Sequence, residues 1–160
     1  MKTKTAAGAV VLALALMAPG FAQGQGSPKI PAPAALDPAI DACAQCKMSV
    51  KDSGYAAQAI AEDGRVYWFD DIGCLLNCLS ANPSIKAAAR YVQDAKKRVW
   101  LPLESASYVV SKDAPTPMGY GIHAFASEEA AALFAKSLKG SPKVVALGDL
   151  KVGSGSGMGM

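Results

Sequence analysis

Two cysteines and a methionine lie close together in the segment that runs from Cys43 to Met48, with Cys46 between them. Thiolate and thioether groups are soft ligands, which select Cu(I), whereas hard ions such as Mg²⁺ and Ca²⁺ prefer oxygen ligands. The segment therefore indicates a soft-metal site built from these three side chains. The residues leave two alternatives open: a CxxC disulfide, or two half-buried cysteines beside a core methionine.

A second cysteine pair, Cys74 and Cys78, is spaced four residues apart on a predicted helix, so both side chains lie on one face. The two pairs form a C-x₂-C … C-x₃-C pattern, which resembles structural zinc sites with four thiolates. The second pair is equally compatible with two buried, small hydrophobic residues. Its role stays open at this point.

A third candidate stretch, residues 115–125, contains Met118 and His123, the chain's single histidine. Two prolines and two glycines restrict the backbone around Met118, which favours a ligand over core filling at this position. His123 lies in a predicted strand, Gly121–Phe125. It is a candidate ligand, with a hydrogen-bonded structural histidine as the alternative.

The chain divides into an export signal, a linker, a domain and a tail. Residues 1–22 read as a secretory signal peptide, since two lysines precede a short apolar run and small residues precede the cleavage point. Residues 23–40 contain four prolines and are predicted to form an extended linker. A metal-binding domain is predicted over 41–152 and a flexible Gly/Ser/Met tail over 153–160. We expect a protein exported to a periplasm.

Composition excludes several classes of function. Loss of Lys2 and Lys4 with the leader lowers the formal net charge from +3 to +1, which is too weakly basic for a nucleic-acid-binding protein. The chain has no P-loop, dinucleotide fingerprint or serine-histidine-acid arrangement, so we expect no enzyme. A thiol-disulfide oxidoreductase using Cys43 and Cys46 is disfavoured, because the motif precedes a predicted strand over 49–51 and does not begin a helix.

Hydrophobic patterning and turn residues predict an α+β fold of two strand-strand-helix repeats in one small domain. In the first repeat, two strands flank a turn at Gly64, and a helix begins at residue 72 after two aspartates. The second repeat is predicted to contain extra strands. The predicted second-half elements are strands over 90–94, 98–101, 108–111, 121–125 and 144–147, and a helix that begins at Ser127-Glu128-Glu129, continues over 130–138 and ends at Gly140.

The candidate motifs together resemble the NosL family of exported copper-binding accessory proteins for nitrous oxide reductase. The matching stretches, in the order in which that family has them, are Asp41–Met48, Ala57-Gln58, Trp68–Cys74, Pro117–Gly119 and Ala124-Phe125. The resemblance implies Cu(I) binding and copper delivery to a cuproenzyme or its maturation complex, with nitrous oxide reductase as the expected acceptor. It implies that Cys46, Met48 and Met118 are copper ligands. It also offers His123 as a further ligand.

Three features depart from the family pattern. Many members carry a lipid-anchored cysteine after the leader, whereas this chain has no cysteine before Cys43, so no lipid anchor is expected even if the partner lies at a membrane. Cys78 is an addition, and the tail ends in two methionines, Met158 and Met160. A structural zinc- or disulfide-stabilised interaction module, with the methionines incidental, is the alternative function.

Overall fold

The computed structural model describes residues 30–51, 53–140 and 142–152. The predicted signal peptide, the first part of the predicted linker and the predicted tail lie outside these ranges. Within them, no helix combines the length and the apolar character needed to cross a membrane.

From residue 57 onward, the strands and helices follow the order predicted from the sequence. The strands of the described ranges are β1 (Ala57–Ala61), β2 (Val66–Phe69), β3 (Ala87–Gln93), β4 (Trp100–Pro102), β5 (Ser107–Val110), β6 (Ile122–Phe125) and β7 (Lys143–Val145). The helices are α1 (Ile72–Ala81) and α2 (Glu128–Lys136), with short 3-10 turns at Leu103–Ser105 and Leu147–Asp149. The predicted α+β class is confirmed.

The strands form two antiparallel sheets, in the orders β2-β1-β3-β4 and β6-β5-β7. Apart from β4, the two sheets have the same plan: the first strand is central, and the second strand and the strand after the helix flank it. The repeat is thus strand-strand-helix-strand. The sequence prediction assigns the strands near residues 90–94 and 98–101 to the second half, and this is wrong. These strands are β3 and β4, and they belong to the first sheet, where β3 pairs with the free edge of β1 and β4 pairs with β3.

Local sequence explains where α1 begins and ends. The β1–β2 turn has Gly64 at φ +84°, a backbone conformation that favours glycine. After β2, the side chain of Asp71 accepts a hydrogen bond from the Gly73 amide at 2.9 Å and caps α1. At the other end, the amide of Asn82 donates to the carbonyl of Cys78 at 3.0 Å, and Pro83 follows. The helix therefore presents its first turn to the end of β2.

The second sheet is packed on both faces, as the alternation of its side chains requires. Tyr108, Ile122 and Ala124 belong to the main core, which they share with β1, β2 and α1. Val109 and Phe125 point the other way and pack with α2. The two halves are joined where the amide of Ala95 donates to the carbonyl of Ala124 at 2.9 Å.

The end of the predicted linker lies against the first sheet. The side chain of Gln58, buried in the middle of β1, accepts from the Ala34 amide at 2.8 Å and donates to the Ala34 carbonyl at 3.2 Å. The hydroxyl of Tyr91 donates to the carbonyl of Pro31. These bonds hold residues 31–34 on the domain, while the predicted domain boundaries remain predictions.

Candidate metal centre

The segment from Cys43 to Met48 forms a closed turn beside the end of β2. The amide of Cys43 donates to the Met48 carbonyl at 2.7 Å, and the amide of Lys47 donates to the Cys43 carbonyl at 2.9 Å. Lys47 has φ +66°, an unusual value for a residue other than glycine, and it closes the turn. The amide of Ala44 donates to the Trp68 carbonyl at 2.8 Å, which fixes the turn on β2. Instead of the predicted strand over 49–51, one isolated bridge joins Ser49 to Ala42.

Two further side chains approach this turn from the β2–α1 connection. Asp70 directly follows β2, and Cys74 lies in the first turn of α1. One ligand atom from each of Cys43, Cys46, Asp70 and Cys74 lies within 4.8 Å of the others. We call these four residues the thiol cluster. It is the one group of this kind that the described residues contain.

Hydrogen bonds organise the thiol cluster. The Cys46 thiol donates to Oδ1 of Asp70 at 3.3 Å, and the Cys46 amide donates to Sγ of Cys43 at 3.5 Å. All four cysteines of the chain are free, including Cys78, which lies one turn further along α1. The arrangement therefore presents three free cysteine sulfurs and one carboxylate around a common point.

The shared hydrogen bonds make one sulfur the preferred site of negative charge. The Cys74 thiol donates to Cys43, and this bond, opposed by burial, lowers the pKa of Cys43 to about 6. For the donor the same bond has the opposite effect, so the pKa of Cys74 is raised. Burial is the main cause that raises the pKa of Cys46 to about 12, and it also raises the pKa of Cys78. The thiol cluster thus favours a single thiolate, on Cys43.

Both predicted methionine ligands have accessible side chains. Met48 is 56% exposed and lies two residues after Cys46. Met118 is 39% exposed, and its amide donates at 3.0 Å to Asp71, the residue between Asp70 and α1. The structure thus places both methionines on segments that adjoin the thiol cluster, one from each half of the fold.

The structure places His123 apart from the thiol cluster. It lies on β6, where side chains alternate, and its ring is on the α2 face, 5.0 Å from the ring of Phe134 and 5.6 Å from that of Tyr55. It is 2% exposed, and its Nε2 lies 3.0 Å from the Ala114 carbonyl. Burial lowers the pKa of His123, which favours the neutral ring. Copper ligation by His123 stays a prediction from the sequence, without support from this placement.

The sequence pattern anticipated part of the thiol cluster and missed part. The C-x₂-C … C-x₃-C pattern grouped four cysteines, of which the structure brings together three. The sequence predicts Asp70 only as part of a helix start, but the cap is Asp71, and Asp70 faces the thiols. A pair of aspartates directly before a cysteine-bearing helix is the signal that could have suggested two different roles.

A solved structure has the same fold. The crystal structure of the copper chaperone NosL from Shewanella denitrificans matches with a TM-score of 0.64 over 74% of this chain and 95% of that chain. The two sequences are 18% identical over the match, so the likeness concerns the fold. A comparison with functionally curated proteins found no match.

A family model agrees with the motif resemblance. The model of the NosL family matches residues 33–153, which is most of the chain and includes every residue of the thiol cluster and both candidate methionines. NosL proteins are not enzymes, and the expectation that this chain is not an enzyme is thereby confirmed. The chain belongs to the NosL family.

Proposed function

We propose that this protein is a periplasmic metallochaperone that binds Cu(I) as cargo and transfers it to a cuproenzyme. The observation that carries the proposal is the thiol cluster, in which three free sulfurs and the Asp70 carboxylate lie within 4.8 Å of one another. Sulfur ligands of this kind suit Cu(I) better than hard divalent ions. Membership of the NosL family, with a solved relative described as a copper chaperone, agrees with this chemistry.

The exposure of the ligand candidates suits transfer better than storage. Cys43 and Cys74 are buried, Cys46 is half-buried, and Met48 and Met118 are exposed. This gradient leaves one side of the ion open, so that a ligand of the acceptor can enter before the chaperone's own ligands leave. Thioethers bind copper without losing a proton, whereas each protonated thiol must release one.

The ligand set we propose consists of Cys43, Cys46, Met48 and Met118, as predicted from the sequence, with Cys74 added. His123 is left out because its Nε2 is occupied by the Ala114 carbonyl and its ring faces α2. Asp70 accepts a hydrogen bond from Cys46, and we assign it to that thiol rather than to copper, since carboxylate is a hard ligand.

The acceptor and the compartment rest on the sequence. The signal-peptide pattern of residues 1–22 supports export, and the motif resemblance supports nitrous oxide reductase or its maturation complex as the acceptor. Loading of purified, copper-free nitrous oxide reductase by the Cu(I)-loaded protein, compared with an equal amount of a Cu(I)–glutathione complex, tests the delivery step. Faster or more complete loading by the protein is the expected result.

The binding step is tested by competition for Cu(I) with a chromophoric chelator on fully reduced protein, with Zn²⁺ as the parallel titration. We expect one equivalent of tightly bound Cu(I) and weaker Zn²⁺. Cys46→Ser is expected to weaken Cu(I) binding by more than about 100-fold, since it removes a ligand and not only a supporting contact. Unchanged binding in that variant would remove Cys46 from the site.

One observation favours a second candidate function. Three thiolates and one carboxylate are also a suitable tetrahedral ligand set for a structural zinc ion. In that case the protein would be a zinc-stabilised interaction module, and the two methionines would be incidental. Tight Zn²⁺ binding with no preference for Cu(I), together with a large gain in thermal stability, would favour this candidate.

A further inference from the structure

One buried carboxylate ties the Met118 loop to α1. Oδ1 of Asp71 accepts from the Gly73 amide at 2.9 Å and caps the helix. Oδ2 accepts from the Met118 amide at 3.0 Å and from the hydroxyl of Thr116. The side chain of Asp71 is fully buried. It thus contacts both the helix that carries Cys74 and the loop that carries Met118.

The loop itself is organised around Thr116. Its hydroxyl oxygen accepts from the Gly121 amide at 3.0 Å, and its carbonyl accepts from the Gly119 amide at 2.9 Å. Both glycines have positive φ, +75° at Gly119 and +64° at Gly121. Thr116 is buried, whereas the Met118 side chain is partly exposed, so backbone hydrogen bonds rather than core packing set the position of that methionine.

We infer that Thr116 and Asp71 are positioning residues that hold Met118 in a fixed relation to α1, so that its thioether and the Cys74 thiol bind one Cu(I) ion together. This inference rests on the proposed copper function and assigns these two residues to it. The two ligands come from opposite halves of the fold, and a buried hydrogen-bond network links them. Residues that orient ligands in this way contribute to affinity without touching the metal.

The first variant to test is Thr116→Val, which keeps the shape of the side chain and removes the hydroxyl. We expect Cu(I) binding to weaken about tenfold, the lower end of the range for residues that support metal ligands. Thr116→Ser retains the hydroxyl and should bind Cu(I) within about threefold of the wild type. An equal loss in both variants would show that the hydroxyl is not responsible.

A double-mutant cycle separates positioning from general stability. In a Met118→Leu background, Thr116→Val should change the Cu(I) Kd by less than about twofold, because the thioether that it positions is gone. An equal loss in the two backgrounds would overturn the inference, as would a Met118→Leu variant with wild-type affinity. In either case tight Cu(I) binding by the wild type would leave the copper function intact. Wild-type protein without Cu(I) affinity would overturn both.

Asp71→Asn gives a second test that does not change Thr116. The carboxamide oxygen can still cap α1, but the amide nitrogen cannot accept the hydrogen bond of the Met118 amide. The expected loss of Cu(I) affinity again depends on the Met118 sulfur, and a loss independent of that sulfur would contradict the assignment. The matched control is Asp94→Asn, at a buried carboxylate that accepts from the Ala126 amide at the other contact between the halves. This control should lower stability and leave the Cu(I) Kd unchanged.

Discussion

The thiols of Cys74 and Cys43 lie within 4.8 Å of each other. One sulfur comes from the turn before β1 and the other from the first turn of α1, so the pair joins two separate segments. The CxxC motif alone would offer a metal two thiols. The start of α1 adds a third, and this is the feature that most changes the expected metal chemistry.

The added thiol predicts different outcomes at the two cysteines of α1. Cys74→Ser should weaken Cu(I) binding by about tenfold or more, because a hard hydroxyl replaces a soft ligand. Cys78→Ser is the matched control: it makes the same change on the same helix face, at a buried thiol outside the thiol cluster. Both variants should lose about 1–3 kcal/mol of stability from burying a hydroxyl. The measurement is a Cu(I) competition titration on both reduced proteins.

A larger effect at Cys78 than at Cys74 would contradict this ligand assignment. It would indicate that the metal lies deeper along α1 than the thiol cluster, between the two helix cysteines.

The low pKa of Cys43 predicts how the stability of the protein depends on pH. Its pKa in the folded protein, about 6, is below its ordinary value of 9.0, so between these values the unfolded chain binds more protons. The stability of the reduced, metal-free protein should therefore rise with pH across this range, and the contribution of Cys43 should be lost as pH falls through 6. Ultraviolet absorbance of the thiolate in folded protein should show the same midpoint. Cys74→Ala, which removes the donor, should move that midpoint upward.

If the ultraviolet titration is absent in Cys43→Ser, the thiolate is that of Cys43. Persistence of the titration in that variant would place the thiolate on another cysteine.

The order of strands and helices could be predicted because turns and helix caps are local signals. Gly64, the aspartates before α1 and Ser127 before α2 all lie where the elements change. The sequence could not predict which sheet β3 and β4 join. Strand pairing depends on which edge of β1 stays free once α1 has packed, and that is set by contacts between distant segments.

The candidate metal site, like the fold, could be predicted only in part. A CxxC motif and a nearby methionine identify soft-ligand chemistry from residue types alone. The approach of Asp70 and Cys74 depends on how the Cys43–Met48 turn is anchored to Trp68, which is a contact between distant segments. The placement of His123 was harder still, because alternation along β6 tells only that His123 and Phe125 share a face, and not which face α2 covers.

His123 should affect stability rather than copper binding. Burial lowers its pKa below the ordinary value of 6.5, so the unfolded chain takes up the proton first as pH falls. Its contribution to stability is therefore complete above pH 6.5 and decreases as pH falls below that value. His123→Gln can still donate to the Ala114 carbonyl, and it should reduce this part of the pH dependence. Its Cu(I) Kd should stay within about threefold of the wild type.

Chemical denaturation at several pH values and a Cu(I) titration of His123→Gln test both parts of this prediction. A loss of about 100-fold in Cu(I) affinity would return His123 to the ligand set.

Gly73 permits the close approach of Tyr120 to α1. A Cβ at this position would overlap the tyrosine ring, whose hydroxyl accepts from the side-chain amide of Asn77 at 2.8 Å. In an open helix, Gly→Ala would stabilise by about 1 kcal/mol, but here the overlap should reverse the sign and cost about 1–3 kcal/mol. Gly148→Ala is the control, because no neighbouring atom lies within 4 Å of the position that its Cβ would take. That variant should stay within about 0.5 kcal/mol of the wild type.

Displacement of Tyr120 should also move the loop that carries Met118, because the two residues are separated by one glycine. Gly73→Ala should therefore weaken Cu(I) binding in the wild-type background and have little effect on Cu(I) binding once Met118 is replaced by leucine. Denaturant unfolding measures the first effect, and chelator competition for Cu(I) measures the second. A Gly73→Ala protein that is more stable than the wild type would show that the ring moves aside at no cost, and that the contact between Tyr120 and α1 does not fix the loop.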